Sequence, residues 1–192
     1  MELHIPVILG TARKGRASEQ VAEFVVDYLQ DSIDTLSSEL IDVRDYTFGQ
    51  TYEAWNDHPD VPGINDWKEI ADNADGFVIV TPEYNHGYPG ELKILLDAAF
   101  TEYFDKPVGL VGVSAGGFGG ARVVEHIKPI LVELGMTVMV NATYVSHVGD
   151  TFTDDGSVVE DKRDKIQSQL DDMTDELVRY GQKFNQLRDE PS

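Results

Sequence analysis

Five runs with residues typical of β-strands recur along the chain, separated by segments with apolar positions at helical spacing. The runs lie at residues 3–9, 36–41, 77–80, 108–113 and 136–144. The helical segments lie at residues 19–30, 64–73, 90 to about 104, 121–134 and 160–187. The run at residues 77–80 is apolar at every position, which is typical of a strand buried on both faces, as in a parallel sheet covered by helices. The pattern therefore predicts an α/β fold.

The alternation of runs and helices predicts right-handed crossovers in a single parallel sheet. Five strands suit a flavodoxin-like three-layer sandwich with the strand order 2-1-3-4-5. Ligands of such a sheet bind beyond the carboxyl ends of the strands, where the first and third strands lie side by side. The loops at residues 10–18 and 83–88 follow those two strands. At 192 residues, we expect one domain over residues 1–192.

Local signals set several boundaries. Pro82 has no N–H to donate and is predicted to end the third strand. Pro6 lies within the first strand, which indicates that no N–H is needed at that position of the ladder. Ser18 is predicted to be the N-cap of the first helix. Gly135 is predicted to end the fourth helix, and a turn region is predicted at residues 150–155.

One long segment, residues 43–63, shows neither the strand period nor the helix period. It carries four aromatic side chains, Tyr46, Phe48, Tyr52 and Trp55. A loop of this length is uncommon in a compact domain unless it is functional or packs against a partner. Packing in the monomer core and contact with a partner are both open interpretations.

The charge balance narrows the choice of partners. The chain has 35 acidic and 15 basic residues, a net charge of −20. Because nucleic-acid binding needs basic surface, this balance disfavours a nucleic-acid partner. The acidic residues are spread over helices and loops, which favours a solvated acidic coat, as in proteins of a salt-rich cytoplasm, over a specific acidic docking surface. We therefore expect low stability in dilute buffer.

Cysteine is absent, which excludes disulfides, iron–sulfur clusters and a thiolate nucleophile. No apolar stretch reaches the length of a membrane span, and the N-terminus leads into a strand without a signal-peptide pattern. We expect no membrane partner and a cytoplasmic location. The histidines show no metal-ligand spacing, so no metal site is predicted.

The loop after the first strand carries the chemistry of phosphate binding. Backbone N–H groups at a helix start attract anions, and Thr11 and Ser18 add hydroxyl donors. Arg13 can grip phosphate oxygens through two N–H groups, and Arg16 or Lys14 can add charge. The alternative is a basic surface turn with a helix cap. The sequence matches neither a P-loop nor a Gly-x-Gly-x-x-Gly turn.

Two further loops follow predicted strands. Residues 114–120 are rich in glycine, which suits either close approach to a ligand or a tight connection. In the loop after Pro82, Tyr84 and Tyr88 could contact a ligand or serve as ordinary interface aromatics. His86 could donate a proton there, although a loop histidine is more often simply exposed.

Three motifs together resemble the NAD(P)H-dependent FMN reductase family. They are Gly10-Thr-Ala-Arg13 followed by Ser18, Pro82-Glu-Tyr-Asn85, and the glycine-rich loop that begins at Ser114. That family has a flavodoxin-like fold and includes flavin, quinone, azo-dye and chromate reductases. The resemblance extends from about residue 3 to residue 134.

The resemblance implies which residues would hold FMN. Thr11, Arg13 and Ser18 would bind its phosphate. The ring would lie along Pro82, Glu83, Tyr84 and Asn85 on one side, with His86 next to them, and along Ser114, Gly116 and Gly117 on the other. The family often has serine where Arg16 stands and asparagine where Ser18 stands, so this chain departs from the pattern in its phosphate loop.

The expected function is hydride transfer from NAD(P)H, through bound FMN, to a flavin, quinone or similar small acceptor. No side-chain acid or base is strictly required, because the flavin carries the chemistry. Family resemblance also implies a homodimer or homotetramer. Residues 46–55 and 92–104 are the candidates for that contact. Two alternatives stay open: a flavodoxin-type electron carrier without NAD(P)H turnover, and a flavin-free interaction domain on the same fold.

Overall fold

The computed structural model describes residues 2–33, 35–153 and 156–188, so part of the turn predicted at residues 150–155 lies outside it. The strands are β1 (Leu3–His4), β2 (Val7–Leu9), β3 (Leu36–Ser37), β4 (Leu40–Asp42), β5 (Phe77–Pro82), β6 (Pro107–Val113) and β7 (Thr137–Val145). The helices are α1 (Ser18–Ser32), α2 (Ile64–Asn73), α3 (Gly90–Leu96), α4 (Ala121–Glu133) and α5 (Glu160–Arg188). Short 3₁₀ turns lie at Val43–Asp45, Thr101–Tyr103 and Val148–Asp150.

Five strands form one parallel sheet in the order β4-β2-β5-β6-β7. The first two predicted runs are each divided: β1 pairs with β3, and β2 pairs with β4. Pro6 marks the division in the first run, because proline cannot donate to the ladder. Its carbonyl still accepts the Val78 N–H at 3.1 Å. Counting each divided run as one strand, the predicted order 2-1-3-4-5 is confirmed.

The sheet is buried on both faces, as its unbroken apolar runs predicted. Along β5, Phe77 and Ile79 pack into the core beneath α2, α3 and α4. Val78 and Val80 point to the opposite core, beneath α1 and α5. Successive side chains of a strand alternate between faces, so one apolar strand supplies both cores. The three-layer α/β architecture is confirmed.

The third helix is shorter than the sequence pattern predicted. It ends at Leu96 instead of near residue 104, and a 3₁₀ turn follows at Thr101–Tyr103. The buried Tyr103 hydroxyl donates to the Leu96 carbonyl at 3.1 Å. The Phe100 N–H, which a continuing helix would direct to that carbonyl, donates instead to the Glu102 carboxylate at 2.8 Å.

One part of the aromatic segment at residues 43–63 packs in the core, and another part is exposed. Phe48 is buried, and the Tyr46 ring lies 5.9 Å from the Trp67 ring, edge to face. These two side chains therefore belong to the core. Trp55 is 75% exposed, so this part of the segment is free to meet a partner.

Two helix boundaries have different outcomes. The prediction of Ser18 as an N-cap was wrong: Ala17 occupies the N-cap, and Ser18 is the first residue of α1. Gly135 does follow the end of α4, with φ of 81° and its N–H on the Val132 carbonyl at 3.0 Å. That left-handed conformation is the usual reason for glycine after a helix.

Candidate functional site

A cleft of about 310 Å³ lies at the carboxyl ends of the strands, where the loops after β2, β5, β6 and β7 meet. Its lining is Arg13, Gly15, Arg16, Ala17, Ser18, Pro82, Glu83, Tyr84, Val113, Ser114, Ala115, Val148 and Gly149. The structure thus brings together seven of the twelve residues predicted from the sequence. The other five do not line it: Thr11, Asn85, His86, Gly116 and Gly117.

Thr11 lies just behind the cleft and joins two of its loops. Its hydroxyl accepts the Arg13 N–H at 3.2 Å and lies 3.3 Å from the Tyr84 hydroxyl. The Arg13 guanidinium lies 5.3 Å from the centre of the Tyr84 ring, within the range of a cation–π contact. These contacts hold the loop after β2 against the loop after β5.

Ser18 has a buried hydroxyl that makes no hydrogen bond within the described part of the chain. Buried hydroxyls are normally hydrogen-bonded, because an unpaired one has lost its water without replacement. Ser18 lines the cleft at the N-terminus of α1, together with Arg13. A hydroxyl, a guanidinium and a helix N-terminus are the donors that a phosphate group requires.

Arg16 turns away from the role predicted for it. Its side chain is fully buried and forms a bidentate ion pair with Asp42. It also forms an ion pair of 3.0 Å with Glu19. It also donates to the Thr11 carbonyl. Burial disfavours the charge on Asp42, but hydrogen bonds from Arg16 and the Arg44 N–H outweigh burial and lower the pKa of Asp42. The positive charge of Arg16 is therefore compensated by carboxylates of the protein itself.

The loop after β5 folds back on itself in a tight turn. Tyr84 and Gly87 exchange two backbone hydrogen bonds of 3.0 Å. Asn85 and His86 occupy the turn with φ of 51° and 68°, as in a type I′ turn. Asparagine tolerates this left-handed conformation well, whereas histidine adopts it rarely. Both side chains are exposed at the tip, outside the cleft lining.

Glu83 has its carboxylate directed at α4. It accepts hydrogen bonds from the Arg122 guanidinium at 3.0 Å and from the Arg122 and Val123 N–H groups at 3.2 and 3.4 Å. Gly120, the N-cap residue, has no side chain for this purpose. Burial alone would raise the pKa of Glu83, but these hydrogen bonds prevail and lower it. The loop after β5 thus caps the helix that follows β6.

Two glycines in the loop after β6 have different surroundings. A Cβ on Gly120 would lie 2.6 Å from the Val113 nitrogen, so glycine is needed there for packing. At Gly116 a Cβ would meet no protein atom within 4 Å. Gly116 is exposed, so packing within the protein gives no reason for glycine there. The Ser114 hydroxyl donates to the Gly116 carbonyl at 2.9 Å.

The sequence analysis missed the fourth loop of the cleft, which follows β7. Val148 and Gly149 line the cleft. The Val148 N–H donates to the Ser114 carbonyl and the His147 N–H donates to the Gly116 carbonyl, both at 3.1 Å. The available signal was the position of this loop at the carboxyl end of a parallel strand. Asp42, at the end of β4, was missed although the same rule applies.

Comparison with known proteins decides the family. The sequence profile of the family described as NADPH-dependent FMN reductase matches residues 3–150. The chain belongs to this family. The predicted resemblance and the assignment as an NAD(P)H- and FMN-dependent oxidoreductase are confirmed.

Two of its relatives match nearly the whole length of this chain. It is 29% identical to a 2-hydroxy-1,4-benzoquinone reductase of Burkholderia sp, over 89% of this chain and 94% of the relative. It is 28% identical to an NADPH azoreductase of Bacillus sp. (strain OY1-2), over 97% of each chain. Its structure resembles FerB, a flavoenzyme NAD(P)H:(acceptor) oxidoreductase from Paracoccus denitrificans. The TM-score is 0.78 and the identity 24%, over 93% of this chain and 98% of FerB.

The residues of the cleft fit the cofactor of the family. The unpaired Ser18 hydroxyl and the Arg13 guanidinium supply the donors that its phosphate needs.

None of the helices described here has both the length and the apolar character to cross a bilayer.

Proposed function

We propose that this cleft holds FMN with its phosphate on Thr11, Arg13 and Ser18. The ring would lie along the backbone of residues 82–85 on one side and along Ser114–Gly117 on the other. The observation that carries the proposal is the buried, unpaired Ser18 hydroxyl in the same cleft as Arg13. Because a phosphate would satisfy that hydroxyl, binding would remove an energetic cost that the free protein bears.

When bound, FMN supplies the redox chemistry, taking a hydride from NAD(P)H and passing it to an acceptor. The chain itself binds and orients. Arg13 and Ser18 hold the phosphate, and the ion pair of Glu83 with Arg122 fixes the two loops that flank the ring. We assign no side chain a catalytic role. His86 is exposed at the tip of its turn, and hydride transfer does not depend on it.

The acceptor we propose is a small quinone, which takes two electrons and two protons to become a hydroquinone. Relatives named as quinone reductases support this choice, including one from Escherichia coli (strain K12) that is 35% identical over 60% of the chain. A cleft open to solvent suits an acceptor that stacks on the ring after the nicotinamide leaves. Because NAD(P)H is an intracellular reductant, we propose a cytoplasmic location.

We also propose that the protein works as a homodimer or homotetramer. Trp55, Phe100 and Phe104 are 75%, 38% and 41% exposed, and the two phenylalanine rings lie 5.1 Å apart. Trp55 and Phe100, together with Leu134, also line a groove of about 610 Å³. Exposed aromatic clusters of this kind are typical of interfaces. Light scattering on the wild type and on Trp55→Glu checks the proposal: a monomeric wild type would contradict it.

Steady-state oxidation of NADPH with 1,4-benzoquinone as acceptor tests the proposed activity. We expect quinone-dependent oxidation with one hydroquinone formed per NADPH. Arg13→Ala should need more added FMN for the same rate, whereas Arg179→Ala removes the same charge from an exposed helix position and should behave as wild type. NADPH oxidation that ignores the quinone and proceeds only with an azo dye would contradict the proposed acceptor. Equal FMN requirements for the two variants would remove Arg13 from the site.

A further inference from the structure

Three successive carbonyl groups of the phosphate loop are held by two arginines behind it. Arg16 donates to the Thr11 carbonyl. Arg44 donates to the Ala12 carbonyl at 3.3 Å and to the Arg13 carbonyl at 2.7 Å. Arg44 lies in the 3₁₀ turn after β4, so these bonds connect that strand end to the loop after β2.

One carboxylate, that of Asp42, orients both arginines. It pairs with the Arg16 guanidinium through both oxygens, one at 2.7 Å. It also accepts the Arg44 backbone N–H at 2.9 Å, as the N-cap of the 3₁₀ turn. Glu19 completes the group, at 3.0 Å from Arg16 and 3.7 Å from Arg44. The Arg16 side chain is fully buried, whereas the Arg44 and Glu19 side chains are partly exposed.

This arrangement has a consequence for anion binding. A peptide group is planar and its C=O and N–H point in opposite directions. Holding the carbonyls of Thr11 and Arg13 on the arginine side therefore turns the N–H groups of Ala12 and Lys14 away from the arginines. The Arg13 N–H between them donates to the Thr11 hydroxyl at 3.2 Å, which leaves the Ala12 and Lys14 N–H groups as the backbone donors of this loop that could contribute to an anion-binding nest. The backbone would thus supply the positive ends, while the charge of Arg16 is paired with Asp42 and Glu19.

We propose that Asp42 and Arg44 are positioning residues that set the affinity for the FMN phosphate without touching it. The inference rests on the proposed binding of FMN in this cleft. It assigns the tight binding of a phosphate to the geometry of the loop backbone, and it gives an acidic residue a favourable role in binding a dianion.

Asp42→Asn separates this role from a simple effect of charge. If Asp42 acted only through its charge, its removal would favour the phosphate dianion and tighten FMN binding. If Asp42 holds the arginines, its removal releases the loop carbonyls and weakens binding. We expect at least a tenfold weaker Kd for FMN, the change of about 1.4 kcal/mol that loss of a charged hydrogen bond can produce. Asp45→Asn, an exposed position in the same 3₁₀ turn, is the matched control and should stay within about twofold.

Arg44→Lys gives an independent test. Because the Arg44 side chain is partly exposed, this substitution should disturb folding less than Asp42→Asn. Lysine keeps the charge but cannot bridge two carbonyls with a planar fork. The proposal predicts that Arg44→Lys binds FMN nearly as weakly as Arg44→Ala. Wild-type affinity in Arg44→Lys, or tighter binding in Asp42→Asn, would overturn it.

The measurement is quenching of flavin fluorescence in titrations of the full-length apoprotein, with FMN and with riboflavin. Riboflavin lacks the phosphate, so its affinity should change by less than about threefold in each variant. An equal loss for both flavins would show a general distortion of the cleft and overturn the proposal. Failure of the wild type to bind FMN would instead contradict the proposed cofactor site itself. Melting temperatures of the apoproteins confirm that each variant is folded.

Discussion

The Arg122 guanidinium donates to the Glu83 carboxylate at 3.0 Å, across 39 residues of sequence. The contact joins the loop after β5 to the start of α4, and Glu83 also accepts backbone N–H groups of that helix. Two edges of the cleft are therefore fixed to each other by one carboxylate before any ligand binds. Preorganisation of this kind lowers the cost of ordering a site.

We expect Glu83→Gln to destabilise the protein by about 1 kcal/mol at neutral pH, because the half-exposed Arg122 is partly screened by water. The folded pKa of Glu83 lies below its ordinary value of 4.5. Its contribution is therefore complete above pH 4.5 and is lost as the pH falls through the lower folded pKa. Urea unfolding of both proteins at neutral and acid pH checks this: the difference should shrink in acid.

Glu125→Gln is the matched control for that measurement. Glu125 lies in α4, the helix that Glu83 caps, and pairs with Lys128 at 2.6 Å, but its side chain is 63% exposed. We expect a change below about 0.5 kcal/mol. If the two variants were equally destabilised, or if the effect of Glu83→Gln were the same at both pH values, the capping role would be wrong.

Ser18→Ala should separate stability from cofactor binding. Its hydroxyl makes no hydrogen bond within the described residues, so the apoprotein should be as stable as wild type or slightly more stable. FMN affinity should fall about tenfold, because the phosphate loses a donor. Thermal unfolding of the apoprotein and an FMN titration give the two values.

Thr174→Val is the control for Ser18→Ala, since Thr174 also has a buried hydroxyl without a partner in the described chain. It lies in α5 and does not line the cleft. Its replacement should leave FMN affinity unchanged. An apoprotein destabilised by Ser18→Ala with normal FMN binding would show that the hydroxyl serves the fold and not the cofactor.

Tyr103→Phe should destabilise the core beneath α2 and α3. The Tyr103 hydroxyl accepts the Trp67 Nε1–H at 3.0 Å and donates to the Leu96 carbonyl at 3.1 Å, and all of this is buried. The variant leaves two buried groups unpaired, at a cost of about 1–3 kcal/mol in the free energy of unfolding. Tyr180→Phe keeps the ring contacts of a half-exposed tyrosine and should be neutral. Equal effects in the two variants would contradict this account.

The net charge of −20 makes stability depend on salt. Between about 10 mM and about 1 M salt the Debye length falls from about 30 Å to about 3 Å, which screens repulsion among the acidic side chains. The melting temperature of the apoprotein should rise steadily over that range. Using both sodium chloride and potassium chloride shows that ionic strength is responsible. A melting temperature independent of salt would mean that repulsion among the acidic side chains contributes little to the free energy of unfolding.

The sequence predicted the sheet well because its signals are local and repeated. Unbroken apolar runs at β5 and β6 are characteristic of buried parallel strands, and Gly135 marks the end of α4. The end of α3 could not be predicted, because the apolar spacing continues beyond Leu96. In place of the next helical hydrogen bond, the Leu96 carbonyl accepts the Tyr103 hydroxyl, which is itself held by Trp67, 36 residues away in sequence.

The candidate site shows the same division between local and distant signals. The loop position and the donor types of Arg13 and Ser18 were visible in the sequence. The role of Arg16 was not, because its partner Asp42 lies 26 residues away at the end of another strand. A basic residue in a phosphate loop suggests contact with the anion, and only the buried ion pair shows that Arg16 faces the interior.

The most direct test of the central claim is the visible absorption spectrum of the full-length protein in high salt. The protein is mixed with FMN, freed of excess cofactor, and then treated with NADPH without oxygen. We predict that the flavin bands are retained, that they bleach on addition of NADPH, and that they return on addition of benzoquinone. Retained bands that neither NADPH nor NADH bleaches, or protein that retains no flavin, would contradict it.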